Sequence, residues 1–272
     1  MSFGSCCFED GRRYSQMRTK SVDIKGEQLG LLVNFDVIQT FYHTESSPKE
    51  VSYIFPNDLK ICIYETTFVI GEEIIKAKLK AKEEAKQTYE EAVEKGHTAI
   101  YGSNLRDGVT LFKLGNLPPN TDCKVILKLA FTANMTMENI FFIKFPLDVC
   151  TPSGSRCCLD IDSTNFDFSL QCDKEKIKNV TTNVRNGEYD NSTKLFTIKN
   201  RVDNRDNEHS IIINFETNEK VQSSVFIGES TETYDTCSLI ISPNIENNIS
   251  KSEMEYVFLI DCSGSMRGDS IS

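Results

Sequence analysis

DCKVILKLAFT, residues Asp122 to Thr132, decides the fold class. Cys123, Val125, Leu127, Leu129 and Phe131 recur at period two, with Lys124 and Lys128 between them. Successive side chains of an extended chain point to opposite faces, so this spacing predicts a strand with one face in a core and the other in water. The same rhythm runs through Val33, Phe35, Val37, Gln39 and Phe41, through Val51, Tyr53 and Phe55, and through Thr110, Phe112 and Leu114. Turn residues close these runs, as in Ser47-Pro48, Pro56-Asn57-Asp58 and Pro118-Pro119-Asn120. The chain reads as mainly β.

One segment departs from that rhythm halfway along its length. In EEIIKAKLK, Ile75, Ala77 and Leu79 alternate with Lys76, Lys78 and Lys80, which predicts a strand entered from FVI through a turn at Gly71. In AKEEAKQTYEEAVEKG the apolar residues Ala81, Ala85, Tyr89, Ala92 and Val93 instead recur at three to four. This predicts a single amphipathic helix, with Glu91 and Lys95 spaced as an i,i+4 pair and Gly96 as its stop. The mixed charges from Glu72 to Lys95 read as a solvated face.

Past Phe145-Pro146 the turn-rich TPSGSRCC marks a boundary. Alternation resumes with Phe166, Phe168, Leu170 and Cys172 against Asp167, Ser169 and Gln171, followed by strands at Leu195 to Ile198, Ile211 to Phe215, Val225 to Ile227 and Ser238 to Ser242. The polar NIENNISKSE leads into YVFLI, a run apolar on both faces and suited to the middle of a parallel sheet.

Composition narrows the function. The 272 residues hold 40 acidic and 30 basic side chains, a net charge of −10, with 39% hydrophobic and 26% charged residues and no Trp. These values exclude wholesale disorder, and the negative balance argues against nucleic acid, whose binding rests on neutralised phosphates. No run approaches the ~20 apolar residues of a membrane span, and the first twenty residues lack the apolar core of a secretory signal, which points to the cytoplasm. Ten cysteines contain no C-x-x-C pair, and His43, His97 and His209 lie far apart, so the cysteines read as structural thiols. No G-x-S-x-G, H-E-x-x-H, phosphate loop or dinucleotide loop is present, so the chain reads as not an enzyme, with no catalytic residue and no cofactor-binding residue. The sequons at Asn134, Asn179, Asn191 and Asn248 and the tripeptide Arg267-Gly268-Asp269 read as chance in that setting.

Five stretches together resemble a known arrangement. They are VIQTFYHTESSPKEVSYIFP, IYETTFVIGEEIIKAKLKAKEEAKQTYEEAVEKGHTAIYG, VTLFKLGNLPPNTDCKVILKLAF, IFFIKFPLDV and YVFLIDCSGSM. The chain is similar to a VIT domain (vault protein inter-alpha-trypsin) followed by the truncated start of a von Willebrand factor A domain. The resemblance implies a β-sandwich carrying one helix, a second β-rich unit and a short C-terminal stub of an α/β domain. The partition expected is an N-terminal tail over 1–20, the VIT domain over 21–150, the second unit over 156–245, a linker over 246–255 and the stub over 256–272. It implies a non-enzymatic, intracellular scaffold or protein-interaction role through the sheet surfaces and the outer side of the helix, with a protein partner, no nucleic acid and no membrane span. Asp261, Ser263 and Ser265 match the D-x-S-x-S of the family's metal-ion-dependent adhesion site, an incomplete motif here. The second reading is therefore a Mg²⁺-dependent adhesion or ligand-binding protein whose remaining ligands come from elsewhere. A third, an enzyme with its site between the β units, has no spacing in its favour.

Overall fold

The structure, a computed structural model, describes residues 3–10, 13–44, 46–56, 61–77, 82–105, 109–137, 139–150, 156–158, 164–173, 176–203, 210–219, 224–227 and 237–240. Where the sequence suggests a tail over 1–20, the chain makes a hairpin: β1 (Ser5–Asp10) pairs antiparallel with β2 (Arg13–Gln16), Cys7 opposite Gln16. The reason is burial, since Phe3, Cys6 and Met17 are each exposed by 2% or less and that apolar area gains by leaving water.

The long strands β3 (Arg18–Leu29) and β4 (Leu32–Tyr42) follow, then β5 (Lys49–Pro56) and β6 (Ile61–Ile70). β7 (Glu73–Lys76) folds back on β6 through a two-residue turn whose first residue, Gly71, has φ 59°, a left-handed conformation suited to such hairpins. The helix α1 (Lys82–Glu94) occupies the segment read as helical. Gly96 ends it at φ 79°, donating its N–H to the Val93 carbonyl at 2.9 Å, while the His97 N–H donates to Ala92 at 3.0 Å. An ion pair on its surface is Lys86 with Glu90 at 3.5 Å, five positions before the Glu91–Lys95 pair read from the sequence and with the charges in the opposite order.

β8 (Ala99–Leu105), β9 (Val109–Leu117), β10 (Asp122–Thr132), β11 (Asn134–Met137) and β12 (Ile140–Pro146) come next. Beyond them lie β13 (Asp148–Cys150), β14 (Arg156–Cys158), β15 (Asn165–Gln171), β16 (Ile177–Thr182), β17 (Gly187–Asp190), β18 (Leu195–Ile198), β19 (Ser210–Thr217), β20 (Ser224–Ile227) and β21 (Cys237–Ile240). The YVFLI run, the linker before it and the stub lie outside the described residues.

The larger sheets are a five-stranded one, β2-β1-β5-β9-β8, an eight-stranded one, β17-β18-β15-β3-β4-β10-β6-β7, and a four-stranded one, β11-β12-β19-β16. Strands on the two sides of the boundary read near Pro146 therefore share sheets. β15 pairs parallel with β3, from Asn165 opposite Ser21 to Gln171 opposite Glu27, and β12 pairs antiparallel with β19. Alternation fixes which face of a strand is buried but not which strand it pairs with, so these long-range pairings were not visible in the periodicity.

One face of the eight-stranded sheet is backed by both smaller sheets. Tyr53 of β5 meets Phe41 of β4 at 6.0 Å and Phe68 of β6 at 6.1 Å between ring centroids. Phe145 of β12 meets Phe35 of β4 at 4.7 Å and Phe168 of β15 at 5.7 Å. Cys6, Cys7, Cys62, Cys123 and Cys172 are free thiols. Burial, then contact with the Cys123 thiol, pushes Cys6 well above the usual thiol range, and burial pushes Cys172 up to about 12. Such thiols are inert packing groups.

Candidate interaction surface

Two large sheet faces point away from this core, and α1 lies on one of them. Tyr89, Ala92 and Val93 are half-buried where the helix meets β8 and β9. A Cβ on Gly115 would stand 2.4 Å from Val93 Cγ2 and 3.1 Å from the Tyr89 hydroxyl, so a glycine is what lets the helix approach. The next residue, Asn116 (φ 54°), donates its side-chain amide to the carbonyls of Val93 at 3.1 Å and His97 at 3.2 Å, adding a second donor to a carbonyl in the last helical turn and tying down the chain just past it. Tyr89 donates its hydroxyl to Glu50 Oε1 at 3.2 Å, and Lys113 Nζ approaches the same oxygen at 3.4 Å. Farther along the same outer face, Cys7, Ile54, Val109 and Leu111 form a second buried cluster. This face of the five-stranded sheet is thus occupied, and the outward side of the helix, with Lys86, Gln87, Glu90, Glu91 and Glu94, is exposed.

The outward face of the eight-stranded sheet is different. The exposed large apolar side chains include Tyr42 (36%), Tyr64 (58%) and Ile74 (67%), and all three belong to strands at its β4-β10-β6-β7 end. Ile74 stands opposite Val69, which stands opposite Lys124. Ile126 stands between Ile38 and Thr67, with both isoleucines half-exposed. Exposed apolar side chains interspersed with charge are the composition of a binding surface.

The rim is an ordered row. Lys128 lies opposite Asp36 on one side and Glu65 on the other. Glu65 receives Lys128 at 3.4 Å and Lys76 at 3.7 Å. Partial desolvation pushes the Glu65 carboxyl up, but the hydrogen bond and charge of Lys128, and then Lys76, hold it below its usual value. Lys128 is raised by its hydrogen bond to Glu65, then by the Glu65 charge, with Asp36 adding to it. Glu65 therefore contributes above its unfolded pKa and fades as pH falls through its lowered folded value. Lys128 contributes below its unfolded pKa and fades as pH rises through its raised one. The row is intact across the neutral range. Desolvation, followed by the Asp36 charge, raises the Tyr64 phenol.

Asp261, Ser263 and Ser265, the metal ligands suggested by the sequence, lie outside the described residues. The sequon residues Asn134, Asn179 and Asn191 are exposed, on β11, on β16 and in the turn between β17 and β18. The sequence reading named sheet surfaces without residues and so missed Tyr64, Ile74, Ile38 and Ile126. A signal was present: Ile126 falls out of phase between Val125 and Leu127, as Ile38 does after Val37 and Ile74 before Ile75. An apolar residue on the nominally wet side of an alternating strand marks a surface that is not built for water alone.

Residues 19–129 match the family model of the vault protein inter-alpha-trypsin domain. Over 128 residues the chain is 37% identical to protein mono-ADP-ribosyltransferase PARP4 of Mus musculus, covering 45% of this chain and 6% of that protein. It is 26% identical over 282 residues to the Homo sapiens protein of the same name, covering 92% of this chain and 15% of that one. A von Willebrand factor A domain-containing protein of Dictyostelium discoideum is 24% identical over 250 residues, covering 86% of this chain and 26% of its own length. The chain spans about a quarter or less of the length of these curated relatives.

Proposed function

We propose that the vault protein inter-alpha-trypsin domain matched over residues 19–129 serves here as a protein-interaction module, and that the chain binds a protein partner through the outward face of the eight-stranded sheet. The observation that carries this reading is the placement of Tyr42, Tyr64 and Ile74 on that face, beside the Lys76-Glu65-Lys128-Asp36 row. Tyrosine and isoleucine on a rigid sheet supply apolar area at small conformational cost, and the charges set register and exclude mismatched partners. The setting proposed is intracellular and the role that of a scaffold, in line with five free thiols among the described residues.

The test compares two surface variants of the full chain as baits from the same cells. Tyr64→Asp with Lys124→Glu alters the sheet face, and Glu90→Lys with Glu94→Lys alters the helix. The sheet variant is expected to lose about tenfold or more of the partner retained by the unaltered chain, the scale of a central interface residue, while the helix variant keeps it. Loss in the helix variant alone would overturn the assignment.

The alternative, Mg²⁺-dependent ligand binding, draws on Asp261, Ser263 and Ser265 and on relatives named for a von Willebrand factor A domain. Titrating Mg²⁺ into the full chain and into Asp261→Ala decides it: saturable heat abolished by the substitution supports that reading, and no saturable heat removes it.

A further inference from the structure

Among the described residues, β7 is the end strand of the eight-stranded sheet. It contains no proline or bulge, and Ile74, near its middle, is 67% exposed. Natural edge strands are usually blunted against pairing with another chain, and this one carries only charge at its two ends. The position of that charge is informative.

The Ala77 N–H donates to the Thr66 carbonyl at 2.9 Å, and Glu73 closes the hairpin opposite Ile70. In an antiparallel ladder, alternate residues turn both backbone groups to the same neighbour. Glu73, Ile75 and Ala77 therefore face β6, while Ile74 and Lys76 turn their N–H and C=O to the open edge. A second strand docking there finds its hydrogen-bonding positions centred on Ile74.

We propose that this strand is β7 of a second copy of the chain, running antiparallel about a two-fold axis at Ile74. A two-fold perpendicular to a sheet keeps the outer faces of both copies on one side, so a residue can oppose only residues of its own parity. Centred on Ile74, the register sets Ile74 against Ile74 with reciprocal backbone hydrogen bonds. It sets Lys76 of each copy against Glu72 of the other, so the E-x-I-x-K pattern of residues 72–76 is self-complementary: one apolar pair flanked by two opposite-charge pairs. Centring on Ile75 instead would turn the central backbone groups away from the partner and set Lys76 against Ile74. The open hydrogen-bonding positions and the charge order favour the same register. This contact needs no other protein, and it shares Ile74 and Lys76 with the face proposed above.

The test is sedimentation velocity of the full chain over a concentration series, with circular dichroism confirming the fold of each variant. The unaltered chain is expected to show a monomer–dimer equilibrium. Glu72→Lys sets Lys against Lys twice and Lys76→Glu sets Glu against Glu twice, so each is expected to weaken the dimer roughly tenfold. Mixing the two single variants restores opposite charges at both positions in the heterodimer, and the double variant E72K/K76E restores them in a homodimer. Recovery in both is the expected result. A chain that stays monomeric throughout the series, a dimer indifferent to both single substitutions, or single variants that fail to recover on mixing would overturn the proposal.

Discussion

Phe35→Ala is expected to cost about 3–5 kcal/mol, the range for removing a fully buried phenylalanine, and to loosen strands on both sides of residue 146. The ring is 1% exposed and lies 4.7 Å from Phe145, 5.7 Å from Phe168 and 5.8 Å from Phe131, centroid to centroid. It also fills the space beside Gly26, where a Cβ would stand 2.2 Å from it. It thus touches β3, β10, β12 and β15 from β4, and no single neighbour can collapse into the hole. Domains are stable by only about 5–15 kcal/mol, so a loss of this size is a large fraction of the whole. Urea unfolding followed by circular dichroism and tyrosine fluorescence, the sequence having no Trp, measures the loss as a lower midpoint at unchanged slope. Hydrogen exchange then reads its reach: residues 32–42 and 165–171 are expected to lose protection together. Independent units would leave 165–171 protected.

The second large effect is expected from Gln39→Leu. Gln39 is 1% exposed and takes the place of a neighbouring strand for Gly4, accepting its N–H at 3.2 Å and donating to its carbonyl at 3.0 Å. The same Oε1 accepts the Tyr53 hydroxyl at 2.8 Å. Leucine keeps the volume but strands these groups in a dry site, each at about 1–3 kcal/mol. The expected cost is about 3–5 kcal/mol in sum, with early exchange at residues 3–10, because this amide helps fasten the N-terminal segment to β4. Adding Tyr53→Phe removes one stranded hydroxyl, so the double variant is expected to recover part of the loss in thermal unfolding. An additive double variant would contradict the network.

Strands with one wet face and one dry face were legible in the sequence: β4, β9, β10 and β15 each keep a run of apolar residues at period two, and α1 announces itself by the change of period. β3 was not legible for reasons now visible. Its inward positions hold Val22 and Ile24, but also Gly26, which makes room for Phe35, and Gln28, which donates to the Gly30 carbonyl at 2.6 Å and accepts the Asp173 N–H at 2.9 Å. A glycine and a glutamine at core positions break a hydrophobic pattern while satisfying packing and hydrogen bonding. The parallel pairing of β15 on β3 joins residues more than a hundred positions apart, a distance local periodicity does not span. Gly115 and Asn116, part of the stretch that carried the family resemblance, gain a physical account, one admitting the helix and the other bonding a carbonyl of its last turn and one just beyond it. For the interaction surface, Ile38 and Ile126 were visible only as interruptions, because their significance depends on which strands lie side by side.

The central claim is that the open face of the eight-stranded sheet, and not the outer side of α1, meets the partner. Lysine-reactivity footprinting of the full chain, free and in complex with the captured partner, tests it most directly. The account predicts that Lys76, Lys124 and Lys128 become protected in the complex while Lys86 and Lys178 react as in the free chain. Protection of Lys86 with the three sheet lysines still reactive would contradict it.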